Sequence, residues 1–185
     1  MSEPPSELAD QPLCVGCGMC CDGTLYGRAR VSPGEEPRIV AAGLELLEGE
    51  ENSYFRLPCQ YFGCGRCTIY KDRFDVCRTF TCALYRRLEG NEVAPEEARS
   101  IVNKALALRD KVISAYPDAK IHRNRQELRN KLADQLSRDI GEARQSTARN
   151  LLNIIALDTF VERWFRNKKD QDQDSAGGEA KPANS

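Results

Sequence analysis

The chain has 185 residues, with 27 Lys and Arg against 28 Asp and Glu, one His and nine Cys. That length suits one domain, or one domain with an appendage. The charge balance excludes a general electrostatic pull towards nucleic acid or anionic membrane, and no run of about 18 apolar residues is available to span a bilayer.

The opening "MSEPPSELADQPL" is acidic and Pro-rich. It lacks the basic and apolar regions of a secretory signal. Residues 1–12 read as a flexible leader, and a cytoplasmic location is expected. All nine cysteines fall between Cys14 and Cys82. In a reducing compartment, clustered thiols are more often metal sites than disulfide frameworks, and an odd count argues against complete pairing.

Residues 13–90 read as a cysteine-rich domain. Residues 24–31, "TLYGRARV", have strand character, as do residues 53–57, "SYFRL". A short helix is expected over residues 38–44, after Ser32 and Pro33. "CQYFGCGRCTIY" reads as a loop punctuated by Gly63 and Gly65, and residues 75–88 as a helix. Residues 91–166 read as a helical appendage. Pro95, Glu96 and Glu97 suit a helix start. Ile101, Ala105, Leu108, Val112 and Tyr116 then keep helical spacing. A second stripe comprises Leu128, Leu132, Leu136 and Ile140, with Gly141 interrupting or ending it. A third helix is expected over residues 151–165, apolar around much of its surface and the most buried of all. Residues 167–185, "NKKDQDQDSAGGEAKPANS", read as a disordered tail. The expected class is α+β: a small metal-organised cysteine domain with short strands and helices, then a C-terminal helical segment.

The chemistry lies in "CVGCGMCC", which spaces Cys14, Cys17, Cys20 and Cys21 as C-x2-C-x2-C-C. The x2 spacing lets two sulfurs of one short loop reach one metal, in zinc knuckles and iron–sulfur loops alike. If the stretch is helical, Cys14, Cys17 and Cys21 share a face. Adjacent Cys20 and Cys21 project differently, so each can serve its own metal, or one can bridge two. Cys59, Cys64, Cys67, Cys77 and Cys82 follow. Two zinc ions with four thiolates each would use eight cysteines. Three four-coordinate zinc ions would need three of nine thiolates to bridge. An iron–sulfur cluster is the third option, although the Cys-Pro that closes a ferredoxin-type loop does not occur. His122, the sole histidine, is remote in sequence.

"CVGCGMCC", a later Cys, "CTIYKDR" and "VCRTFTC" together resemble the YkgJ-type cysteine-cluster family, whose pattern runs CxxCxxCC, then C, then CxIYxxRPxxCRxF. The resemblance covers about residues 13–85. It implies a zinc- or iron-chelating domain, with an iron–sulfur cluster as one form. Its metal ligands would be Cys14, Cys17, Cys20, Cys21, Cys59, Cys67, Cys77 and Cys82. Ile69, Tyr70, Arg73, Arg78 and Phe80 match as well. The chain departs from the pattern at Arg73-Phe74, where the family has Arg-Pro, so packing would replace a rigid turn. Cys64 stands outside the shared set, as a spare thiol or an extra ligand.

The implied role is structural, metal-handling or redox, and the pattern leaves open whether the protein is an enzyme. A related cysteine motif in flagellin lysine methylases raises a methylase or iron–sulfur oxidoreductase as one alternative, but no Gly-rich cofactor loop accompanies it. A zinc-organised interaction or nucleic-acid-binding module is another. The basic stretch "KIHRNRQELRNK", residues 120–131, is its only support, and a solvated helix face explains that run as well. The expected partners are metal ions and, through the C-terminal helices, an unidentified protein; nucleic acid is not favoured and no membrane is expected. Arg73 and Arg78 are candidates to offset thiolate charge. Tyr70 reads chiefly as packing, and Asp22 as a residue that could orient Cys21.

Overall fold

The computed structural model describes residues 13–49, 51–116 and 125–166. The leader, His122, residues 120–124 of the basic stretch and the tail lie outside the described residues.

Helix α1 (Leu13–Cys17) is a single turn and a half. It stops at Gly18, whose φ of 63° is left-handed, a conformation that costs glycine little. Strands β1 (Arg28–Arg30), β2 (Leu46–Glu48) and β3 (Ser53–Arg56) form an antiparallel sheet in the order β1-β3-β2. Phe55 pairs with Ala29 on one side and Leu46 on the other and is fully buried. A benzyl side chain in that position contributes about 2–3 kcal/mol by leaving water. Helix α2 (Glu36–Ala41) precedes the sheet's second strand and buries Ile39. It lies two residues earlier than spacing suggests, because Pro37 fits the first turn.

Strands β4 (Phe62–Gly63) and β5 (Arg66–Cys67) pair antiparallel, with Gly63 opposite Arg66. This corrects the loop reading of that stretch. Cys64 and Gly65 both have positive φ, 50° and 75°. Two left-handed residues in a two-residue turn match the twist of a hairpin. The expected single helix over residues 75–88 is two helices, α3 (Asp75–Thr79) and α4 (Ala83–Glu89). Phe80 and Cys82 between them are extended, and the Phe80 ring meets Tyr26 edge-on at 5.6 Å.

Helices α5 (Pro95–Ala115), α6 (Arg125–Leu136) and α7 (Gly141–Trp164) complete the described fold. Helix α5 buries Ala98, Ile101, Val102, Ala105 and Val112, so its apolar stripe is legible in the spacing. The second stripe ends at Leu136. Ile140 is 84% exposed and precedes α7, so it does not belong to that stripe. Helix α7 starts at Gly141, ten residues before its apolar run, because residues 142–150 form a mainly polar and largely exposed first half. Its buried residues are Thr147, Ile154, Leu157 and Val161, while Leu152 is 64% exposed. The helix is therefore amphipathic, not buried all round.

One hydrophobic core runs through both halves of the chain. Met19, Leu25, Phe55 and Leu84 share it with Ile101, Val102, Ile154 and Phe165. Polar ties reinforce the junction. Arg109 on α5 donates to Asp22 at 2.8 Å, and Arg125 on α6 pairs with Asp158 on α7 at 2.7 Å while donating to the Thr24 carbonyl. Arg166 donates to the Leu25 carbonyl at 2.6 and 3.0 Å. Among the described residues, no helix is long and apolar enough to cross a membrane.

Candidate metal centre

Cys14 and Cys17 sit one turn apart on α1, as i and i+3 spacing requires. Beyond Gly18 the chain turns: the N–H groups of Cys21 and Asp22 both donate to the Gly18 carbonyl, at 2.8 and 3.0 Å. Cys20 and Cys21 lie in this turn. Cys21 therefore does not continue the α1 face, and the helical alternative covers only Cys14 and Cys17. A Cβ on Gly18 would stand 2.4 Å from the Phe62 ring, so the residue must be glycine for space as well as for φ.

Cys59 follows β3, and its N–H donates to the Cys21 carbonyl at 2.9 Å. Cys67 closes β5, opposite Phe62. Cys77 lies in the middle of α3. Cys82 caps α4, and its Sγ accepts the Tyr85 N–H at 3.5 Å. Five separate segments thus converge. Cys14, Cys17, Cys20, Cys21, Cys59, Cys67, Cys77 and Cys82 all line one cavity of about 380 Å³. Cys64 does not line it; it is exposed at the hairpin tip.

All nine cysteines are free thiols. Burial pushes Cys17, Cys21 and Cys77 up to about 12 and Cys20 well above the ordinary thiol range; neighbouring thiolates push further the same way. Cys14, Cys59 and Cys82 are raised by burial too, with backbone N–H groups opposing it at Cys59 and Cys82. Without a counter-charge this cavity therefore keeps its thiols protonated.

The donor set fits a soft metal: every candidate ligand is a thiol, which suits zinc and thiolate-bound iron alike. Among the described residues, no three His, Cys, Asp or Glu side chains are placed to hold one ion together. Tetrahedral zinc–thiolate geometry needs sulfurs about 3.8 Å apart.

The arginines are divided in their roles. Arg28, Arg30, Arg66, Arg73 and Arg78 line the same cavity. Arg78 spends its donors on the Arg73 carbonyl at 2.8 Å and the Lys71 carbonyl at 3.0 Å, bracing the entry to α3. Arg73 stacks over the Tyr70 ring at 3.8 Å, and its Nε is buried with no hydrogen-bond partner. Its positive charge acts to lower Cys14, against the larger effect of burial. Tyr70 is thus the platform for Arg73. Phe74, which stands at the family's proline position, takes φ −61°, a value proline itself would hold. Its buried ring packs on Phe55 and Tyr61 at 5.8 and 6.4 Å, so packing does replace the rigid turn.

Spacing alone gave no sign of one supporting residue, Glu35, and offered Asp22 only as a neighbour of Cys21. Buried Glu35 accepts the Asp75 N–H at 2.8 and 3.0 Å and Arg38 at 2.9 Å, so a carboxylate from α2's entry holds the first turn of the helix that carries Cys77. Asp22 accepts the Thr24 N–H at 2.7 Å besides its bond from Arg109. It anchors the cysteine turn to α5, a role that only the tertiary contact reveals.

No curated protein and no solved structure matches the chain. The profile of the CxxCxxCC family, described as "Putative zinc- or iron-chelating domain", matches residues 13–120, more than half of the chain and every cysteine in it. The match also takes in all of α5, onto which the cysteine turn is anchored through Asp22 and Arg109. On that match, the chain belongs to the CxxCxxCC family of zinc- or iron-chelating domains.

Proposed function

We propose that the protein chelates zinc or iron through the thiolates of Cys14, Cys17, Cys20, Cys21, Cys59, Cys67, Cys77 and Cys82. The observation that carries this reading is their convergence: eight cysteines from five segments line one cavity, and the ninth lies outside it. Chance exposure of thiols does not select the eight that the family pattern shares. A bound metal would supply the positive charge that lets the thiols ionise, and would cross-link the segments it joins. A divalent ion with four thiolates carries two net negative charges, and the five arginines of the wall offset charge of that sign. Free thiols in this number belong in a reducing compartment.

The test is anaerobic purification of the full chain, followed by metal analysis and an absorption spectrum. Zinc would leave the protein colourless. Thiolate-bound iron would give charge-transfer absorption near ~400 nm. Neither metal above about one-tenth of stoichiometry, even after reconstitution of the reduced chain, would overturn the reading.

A further inference from the structure

We infer that the cysteine cavity is also a binding site for an organic carboxylate with an apolar body, its anionic end held by Arg73. This goes beyond metal chelation, because it rests on the part of the wall that is not cysteine.

That part of the wall has two kinds of surface. Leu57, Phe62, Ile69, Tyr70, Val76 and Phe80 give it an aliphatic and aromatic lining. Its charged side chains are five arginines, and no Asp, Glu or Lys among the described residues lines it. The cavity's volume of about 380 Å³ lies within the range of small-molecule pockets, about 300–1,000 Å³. A chelated ion is a single atom and accounts for a small part of it. A divalent ion held by four thiolates carries two net negative charges, so five guanidiniums leave the wall positive. An apolar lining with a few convergent cationic donors selects an amphipathic anion.

The arginines are not equivalent. Arg78 is committed to the backbone, donating to the Arg73 and Lys71 carbonyls. Arg28 stacks at 4.2 Å over Tyr54, a ring outside the lining. Arg30 and Arg66 are exposed, so salt and water screen them and they attract an anion without fixing it. Arg73 is half-buried, with its guanidinium 3.8 Å over the Tyr70 ring. Its Nε is buried and has no hydrogen-bond partner. The ring holds the guanidinium plane, and Nε with a neighbouring Nη forms the fork that two carboxylate oxygens match. A buried donor without an acceptor is unfavourable, so an acceptor bound there relieves it. One such fork takes one carboxylate, and the apolar lining receives the rest of the molecule.

The experiment titrates the full reduced chain anaerobically with octanoate and with phenylbutyrate, by isothermal titration calorimetry, after its metal content has been measured. Saturable binding of one molecule per chain is expected for at least one acid, with the matching neutral amide at least about tenfold weaker. Arg73→Gln should bring the acid down to the affinity of its amide. Arg73→Lys, which keeps the charge but loses the fork, should recover only part of the difference. Both variants are read at wild-type helical circular dichroism, and the comparison of acid with amide in the unaltered chain stands without them. Equal binding of acid and amide would overturn the inference, as would no saturable binding of either acid up to about 10 mM. So would displacement by equimolar inorganic phosphate, or an undiminished preference for the acid in folded Arg73→Gln. None of these outcomes touches metal chelation, and a chain that binds the acid but takes up no metal overturns only the preceding reading.

Discussion

Gly18 and Cys64 are single residues outside the proposed ligand set that bear on the shape of the centre. Gly18→Ala drives a methyl against the edge of the Phe62 ring and forces an L residue to a φ of 63°. A loss of about 2–4 kcal/mol is expected, from strain of about 1 kcal/mol plus overpacking, measured by urea denaturation of the metal-free chain. Metal affinity should fall with it, because the turn that presents Cys20 and Cys21 starts at this glycine. Cys64→Asn should behave oppositely. Asn-Gly is the favoured pair for a turn with two left-handed residues, and Cys64 lies outside the cavity. Equal metal content and equal or higher stability are expected, read by metal analysis and the same denaturation. The ordered cysteines and the matching Arg73 were visible in the sequence. The glycine's packing reason was not, since Phe62 approaches from 44 positions away.

Short elements hold the proposed ligands, and α3 shows how such an element depends on a contact from elsewhere. Helix α3 has five residues, too few to persist alone. Glu35 supplies its first turn with an acceptor. Glu35→Ala leaves that N–H group without its acceptor, removes the carboxylate paired with Arg38, and should cost about 1–3 kcal/mol. Glu35→Gln, which keeps an acceptor oxygen, should cost less. Their difference in denaturation midpoint, together with a greater loss of metal affinity in the alanine variant, checks the role. Long helices α5 and α7 were easier to anticipate because several turns of periodic residues signal them. The β4–β5 hairpin and the break between α3 and α4 were not anticipated. Two-residue strands carry no period, and residues 75–88 have helix-compatible composition interrupted only by tertiary packing of Phe80 on Tyr26.

At the scale of the molecule, the cysteine region and the long helices stabilise one another. Met19 and Leu84 on one side and Ile101, Ile154 and Phe165 on the other are buried in one core. A fragment ending at residue 90 would expose these faces. It is expected to lack cooperative unfolding in the absence of metal, checked by thermal circular dichroism beside the full chain. The thiols also set a pH dependence for the metal-free protein. Their folded values are raised, to about 12 for Cys17, Cys21 and Cys77, against about 8.5 for an unperturbed thiol. Below the unperturbed value both states hold the proton, so the stability is fully present. As pH rises towards 12, the unfolded chain releases protons that the fold retains, and stability falls. Denaturation midpoints should therefore drop between about pH 8.5 and 11. In the metal-loaded protein the opposite limb appears: protons compete with metal for the thiolates, so metal release should increase as pH falls.

The sequence by itself determined the chemical class. Thiols in a defined order, without a competing histidine, specify soft-metal chelation because ligand softness resides in the side chains, and helical periodicity is written locally along the chain. Only the tertiary structure decided which cysteines face one cavity, that Cys64 lies outside it, and that α5 anchors the cysteine turn. Convergence depends on contacts such as that of Asp22 with Arg109, 87 residues apart. No local spacing encodes them, because they exist only once the core has closed.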